Sequence, residues 1–349
     1  MLKKNVMAIG LVMACAGCTN LNYNPTYLNL KRSAQTPVAQ PKWFDHVLII
    51  VLENGNKEDA EKTPFLKELK ELAGQPESKH TELPLDVNAA YLSDFHGLFH
   101  PSYSNYLAMV SGSSLVESHF DLLHNLDLPT IADRLEDTHK WTWRNYAEDY
   151  PGAMDWCFRE KHSYCAFYKR KHVPFLSFNS ISEERRLKHI IPIDTVERKE
   201  IANISDRYVA EGQDSADKFW LDWKDDKPAY SFYSPNMIHD GHDSSLEVAS
   251  NWLKGFIGKL PNDFWNDTLV IVTFDESDQK DEKNTNDIYT VFLGKVVVSK
   301  VAHEQYSHFN ALRTIEENFG LATLGDQDAI AKPITGIWQK EFPIKPEHQ

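Results

Sequence analysis

Two acidic pairs stand where strands should end. Asp275-Glu276 follows Phe274 and the run Leu269-Val270-Ile271-Val272-Thr273, and Glu53-Asn54 follows His46 to Leu52. Continuous apolar or β-branched runs suit strands buried on both faces, as in a parallel sheet covered by helices. In open α/β sheets ligands bind beyond the carboxyl ends of the strands. Carboxylates and an amide carbonyl there suit a hard divalent cation such as Mg²⁺, Ca²⁺ or Mn²⁺. The bland alternatives are a solvated acidic loop, since Ser277 to Glu282 are mostly polar, and an Asn54-Gly55 turn. One site at a shared sheet edge accounts for both pairs.

A nucleophile candidate is Ser102. It opens the apolar, helix-like run Leu107-Ala108-Met109-Val110, which stops at Ser111-Gly112. A hydroxyl at a helix N-terminus sees the positive end of the dipole and free backbone N–H groups, which suits attack on phosphorus. A nearby cation would lower its pKa. Asn105 could then donate to a phosphoryl oxygen. The alternative for Ser102 is a simple N-cap. A dense cluster follows a later strand: His239, Asp240, His242 and Asp243 lie around Gly241, ligand or acid–base chemistry in either case. Lys171-His172 could meet an anionic substrate, or be an ordinary basic surface pair. His308 is a ligand candidate or only a first-turn residue.

These groups need a scaffold. Strand-like runs alternate with helical ones, which predicts an α/β sheet. Thr63-Pro64 opens a helix to about Ala73, stopped by Gly74. Apolar residues from Leu246 to Leu260 recur at helical spacing and predict a helix over 245–260 that packs on the sheet. Tyr230–Tyr233, Ile288–Leu293 and Val296–Val298 read as strands. Phe309, Leu312, Ile315 and Phe319 place a late helix ending at Gly320. Residues 135–215, rich in aromatics and charges, read as a possible insertion over the site.

The front of the chain reads as an export signal. Met1-Leu2-Lys3-Lys4 is basic, Val6 to Ala16 is apolar but too short to span a bilayer, and Ala16-Gly17 precede Cys18. Small residues before a cysteine resemble the lipobox of bacterial lipoproteins, with Cys18 lipidated; an ordinary cleaved signal is the alternative. The expected organisation is a leader over 1–18, a flexible tether over 19–40 and a catalytic domain over 41–349. The expected location is outside the cytoplasm, on the outer membrane or facing the periplasm, with lipid as the only membrane attachment. A formal net charge of −14 argues against nucleic acid as a partner. Cys157 and Cys165 would form a disulfide in an exported chain, or remain buried thiols.

Seven segments in order resemble one family: the strand ending Glu53-Asn54, HPSYSNYLAMVSG (100–112), NYAEDYP (145–151), YKRKHVPF (168–175), SPNMIHDGHD (234–243), LVIVTFDES (269–277) and YSHFNALRTIEENFGL (306–321). They look like the phosphoesterase family of bacterial and fungal acid phosphatases and phospholipases C, within the alkaline phosphatase superfamily. The acid phosphatase branch looks nearer. The resemblance implies an α/β three-layer sandwich with a central, mostly parallel sheet. It implies hydrolysis of small phosphate monoesters through a phosphoserine, with phospholipase C activity on lipid head groups as the alternative. A non-catalytic protein binding phosphorylated ligands is a further one. Glu53, Asn54, Asp275, Glu276 and Ser102 match metal-binding positions, Ser102 the nucleophile, and Asn105 a phosphate contact. His172 and His242 match histidines around the phosphate, expected to be protonated at mildly acidic pH. Asp240 and His308 fall near a second metal site, although Asp275-Glu276 replaces the superfamily's Asp-His.

Overall fold

The apolar runs that end in acids do form neighbouring strands. In a computed structural model, residues 40–75, 87–115, 124–137, 141–152, 167–181, 184–193, 204–278 and 285–340 are described. Cys18, the leader, the tether up to residue 39, and both Cys157 and Cys165 lie outside them. Residues 38–349 form one compact unit.

The strands are β1 (His46–Leu52), β2 (Asn88–Leu92), β3 (Phe95–His96), β4 (Trp143–Glu148), β5 (Ile190–Ile193), β6 (Tyr230–Ser234), β7 (Thr268–Phe274), β8 (Thr290–Gly294), β9 (Lys300–Ala302) and β10 (Tyr306–Ser307). Eight make one sheet in the order β5-β4-β6-β1-β7-β8-β2-β9, while β10 pairs with β3. The five strands from β5 to β7 run parallel, and β8 is antiparallel to both its neighbours. β1 and β7 sit side by side with Leu52 opposite Phe274. That register alone places the residues after Leu52 beside those after Phe274.

Neighbouring side chains on β6 show why the sheet is buried on both faces, since successive residues point to opposite sides. Tyr233 packs against Trp252 and Phe256 of the helix Leu246–Lys259. Phe232 packs against Tyr106 of the helix Ser102–Ser111. Helices therefore cover both faces, giving three layers. The helix Ile204–Asp226 lies with 246–259, where Phe219 meets Phe256. The helix His308–Phe319 lies with 102–111.

Local signals explain the helix ends. Pro64 sits in the first turn of Pro64–Ala73, where its missing N–H costs nothing. Ser307 and Asn310 form a capping box on His308–Phe319, and Gly320 closes it at φ 64°. Two expectations need correction. Val296–Val298 is not a strand: Val297 makes only an isolated bridge to Trp338, and the strand is Lys300–Ala302. The 135–215 stretch is more than an insertion, because it supplies β4 and β5. β4 carries Arg144 and Asn145, whose polarity hides a strand. Asp226 answers Arg144 at 2.5 Å, and the Asn145 amide donates to the Phe232 carbonyl at 3.1 Å.

Candidate active site

Past the β1–β7 register, Glu53 comes next to Asp275. The Asn54 backbone N–H donates to Asp275 Oδ1 at 3.1 Å. Asn54 takes φ 53°, a left-handed turn that Asn tolerates. The Asn54-Gly55 turn and the site are thus one feature, since the turn holds the acids together.

The helix Ser102–Ser111 delivers its first residue to the same spot. Pro101 occupies the cap, so Ser102 is not an N-cap and its side chain is available. Ser102 Oγ lies 3.1 Å from Glu53 Oε2 and 2.9 Å from Glu276 Oε1. A hydroxyl has one proton and cannot donate to both. The other contact needs a proton on a carboxyl group or a cation between the oxygens. Glu276 is further held by His100 Nδ1 at 2.6 Å.

The acids are buried together: Glu53, Asp240, Asp275 and Glu276 are at most 1% exposed. Burial first, then repulsion from Asp275 and Asp240, raises Glu53 well above the usual carboxylate range. Burial raises Asp275 to about 6, and burial with the Asp275 charge raises Glu276 to about 8. Asp240 is raised for the same leading reason. Glu53 Oε1, Asp240 Oδ2 and Asp275 Oδ2 are buried without a well-aligned hydrogen-bond donor. Orphaned, mutually repelling hard oxygens are what a divalent cation satisfies. Glu53, Asp275 and Glu276, with the Ser102 hydroxyl between the two glutamates, offer hard oxygens of the kind such a cation takes.

His172 reaches this cluster from a short turn, Arg170–His172. Its Nε2 is 3.1 Å from Glu53 Oε1 and its Nδ1 is 3.3 Å from Asp240 Oδ2. Tyr106 stacks on its ring at 4.8 Å. Burial, then the Lys171 charge, pushes the His172 imidazole well below its ordinary value. Burial thus works against the protonated form of His172 that the resemblance leads one to expect. Lys171 is near enough to lower Glu53, Asp275 and Glu276 against the larger effect of burial.

Other sequence candidates fall in different places. Asn105 accepts from the Leu98 and Phe99 N–H groups at 2.8 and 3.0 Å and donates to the Phe99 carbonyl at 2.8 Å. Its amide clamps the loop that leads to Ser102. His242 is exposed, with Nδ1 2.7 Å from Asp243 Oδ1, on a rim turned by Gly241 at φ 99°. Asp240 and His308 have separate partners. Asp240 meets His172, whereas His308 Nε2 donates to the Asp275 carbonyl at 2.8 Å and its ring packs edge-on against Phe95.

Three residues escaped the sequence reading: His100, Tyr106, and Glu148, the buried partner of His239. Glu148 Oε2 takes His239 Nδ1 at 2.5 Å, deep under the 236–243 loop. The dense His/Asp run could have signalled a buried partner for one histidine. Elsewhere, Asp94, His96 and Asp287 bring ligand atoms within 4.8 Å of one another. Lys57 already supplies a cation there, 3.6 Å from Asp287.

The Phosphoesterase family model matches residues 85–322. The chain belongs to that family. A probable acid phosphatase of Kluyveromyces lactis is 32% identical over 252 residues, covering 69% of this phosphoesterase and 53% of the relative. A phosphatidylinositol-3-phosphatase of Mycobacterium tuberculosis is 28% identical over 312 residues, 84% of this chain and 83% of that one. The phosphoesterase spans about half the length of the first fungal relatives it matches. A solved alkaline phosphatase superfamily protein from Vibrio parahaemolyticus aligns at TM-score 0.54 and 14% identity, covering 85% of this chain and 71% of that one. The lipoteichoic acid synthase LtaP of Listeria monocytogenes aligns at TM-score 0.51 and 11% identity, covering 82% and 74%. Both share the three-layer fold.

Proposed function

We propose that this phosphoesterase is a metal-dependent acid phosphatase that hydrolyses small phosphate monoesters through a phosphoserine at Ser102. The position of Ser102 Oγ between Glu53 and Glu276, at the start of a buried helix, carries this reading. A bound divalent cation would lower the hydroxyl's pKa and draw in the phosphoryl oxygens. In the first step Ser102 Oγ attacks phosphorus, its proton passes to a neighbouring carboxylate, and the ester P–O bond breaks. Lys171 offsets the negative charge, and the backbone N–H groups of the first helical turn receive phosphoryl oxygens. His242, on the rim, donates a proton to the departing alcohol. Water then attacks the phosphoserine, releasing inorganic phosphate and restoring Ser102.

A panel of phosphate mono- and diesters, each with and without chelator, tests the reading. Monoester turnover that disappears with chelator and returns with Mg²⁺, Mn²⁺ or Ca²⁺ is expected. Preference for diesters would favour a phospholipase C reading, and the phosphatidylinositol phosphatase relative makes lipid head groups the natural second panel. The proposed location is outside the cytoplasm, on a lipid carried by Cys18. Cys18→Ala should move the protein from the membrane to the soluble fraction. An unmodified N-terminus beyond Cys18, seen by mass spectrometry, would discard the anchor.

A further inference from the structure

Beside the phosphoryl site lies an open cleft of about 670 Å³. It shares Asn54 and His242 with that site, and Ser102 is not in its wall. His242, the proposed proton donor to the departing alcohol, stands in its wall, so an alcohol that takes that proton lies against this cleft. Its remaining walls are mostly polar. Asn56, Asp59, Ser245 and Asp278 line it, with Leu246 as the apolar side chain.

The loops that carry these groups are tied together. The Asn56 amide oxygen accepts the Asp278 backbone N–H at 3.1 Å, which fixes the loop after Glu276 to the loop after Asn54. Asp278 therefore follows the catalytic acids by two residues yet faces a different volume. Asp59, in the cleft wall, pairs one oxygen with Lys62 at 3.2 Å, and both side chains are exposed. Ser245 caps the helix Leu246–Lys259, accepting from the Val248 N–H at 3.3 Å, so that helix begins at the wall. The wall combines acceptors (Asp59, Asp278) with donors (the Asn56 amide, the Ser245 hydroxyl and the start of a helix). A carboxylate accepts two O–H bonds side by side, the pattern that neighbouring hydroxyls offer. An alkyl or acyl group would strip water from these polar groups without replacing it. A second phosphate would meet two carboxylates.

We infer that the cleft is a leaving-group subsite for hydroxyl-rich alcohols, so that the preferred substrates are sugar or polyol monophosphates. This rests on the phosphatase reading above. The two are separable by comparing glucose 6-phosphate with hexyl phosphate, since both release a primary alcohol of similar chemistry. p-Nitrophenyl phosphate tests the phosphatase reading itself. The expected result is a kcat/KM at least about tenfold higher for glucose 6-phosphate than for hexyl phosphate, because a site built to bond hydroxyls rejects the analogue lacking them. In Asp59→Ala/Asp278→Ala the ratio should fall toward unity. It is a ratio within one protein, so a general loss of folded enzyme does not imitate the effect. Turnover of p-nitrophenyl phosphate with a ratio near unity in the native enzyme overturns the subsite. So does a ratio that survives both substitutions. Absence of turnover on all three esters overturns the phosphatase reading and the subsite with it.

Discussion

The buried acids at the β1–β7 edge and Glu148 beneath the 236–243 loop have the same exposure and opposite electrostatics. Glu148 is 1% exposed, as are Glu53 and Glu276. Yet Glu148 accepts from Ser215 Oγ, Tyr233 Oη, the Asn236 N–H and His239 Nδ1, at 2.7, 3.0, 2.9 and 2.5 Å. Burial alone would raise it, but His239 and these donors hold it below the usual carboxylate range. At the strand edge the balance is reversed: oxygens are orphaned and the carboxyl groups rise. Burial does not distinguish the two kinds of carboxylate. Whether the donors on the chain match the charge does.

The sharpest test of that contrast is Ser102. Ser102→Ala should lower turnover by roughly 10⁴ or more, the scale for a removed nucleophile, with thermal stability nearly unchanged. Near-native steady-state rates would mean that water attacks phosphorus directly. Glu148→Ala should do the opposite, costing about 3–5 kcal/mol of stability because His239 and three other donors lose their acceptor in the interior. Chemical denaturation measures it; a loss under about 1 kcal/mol would make Glu148 as dispensable as a surface acid.

Asp275→Asn separates stability from chemistry within one site. It removes a repelling charge, so the metal-free protein should unfold at the same or a slightly higher temperature. Catalysis and metal-induced stabilisation should both be lost, read by scans with and without excess cation. A clear destabilisation of the metal-free protein would show that the edge acids are already compensated, as Glu148 is.

Glu316 gives the smallest effect and a pH signature. It is fully buried, burial and the Asp328 charge raise it to about 9, and neither oxygen has a well-aligned partner. Below the ordinary value of 4.5 it is protonated folded or unfolded, so its contribution is then complete. As pH rises from there to about 9, the unfolded chain gives up the proton and the folded one keeps it, so stability falls. Glu316→Gln should flatten that decline, with a gain at the alkaline end and little change at the acid end. Parallel melting curves of variant and native protein across the window would contradict the assignment.

Much of the site's location was legible in sequence because strand periodicity is local. An apolar run followed by acids marks a buried strand and its carboxyl end, and two such runs implied one edge. The helices over 64–73, 246–259 and 308–319 were equally readable from Pro64, the apolar spacing and Gly320. β4 was not, because Arg144 and Asn145 are polar for the sake of partners on Asp226 and Phe232, far away in the chain.

The sequence by itself determined which acids, hydroxyls and imidazoles are available at the strand ends and loops. The tertiary structure decided which of them meet. The β1–β7 register put Glu53 by Asp275, the helix start brought Ser102 between two glutamates, and His172 arrived from a turn that no periodicity announces. It also sent Asn105 to a loop and His308 to a backbone carbonyl. Hydrogen-bond partners are chosen by proximity in space, and a side chain's type fixes only what it can offer, not what will stand beside it.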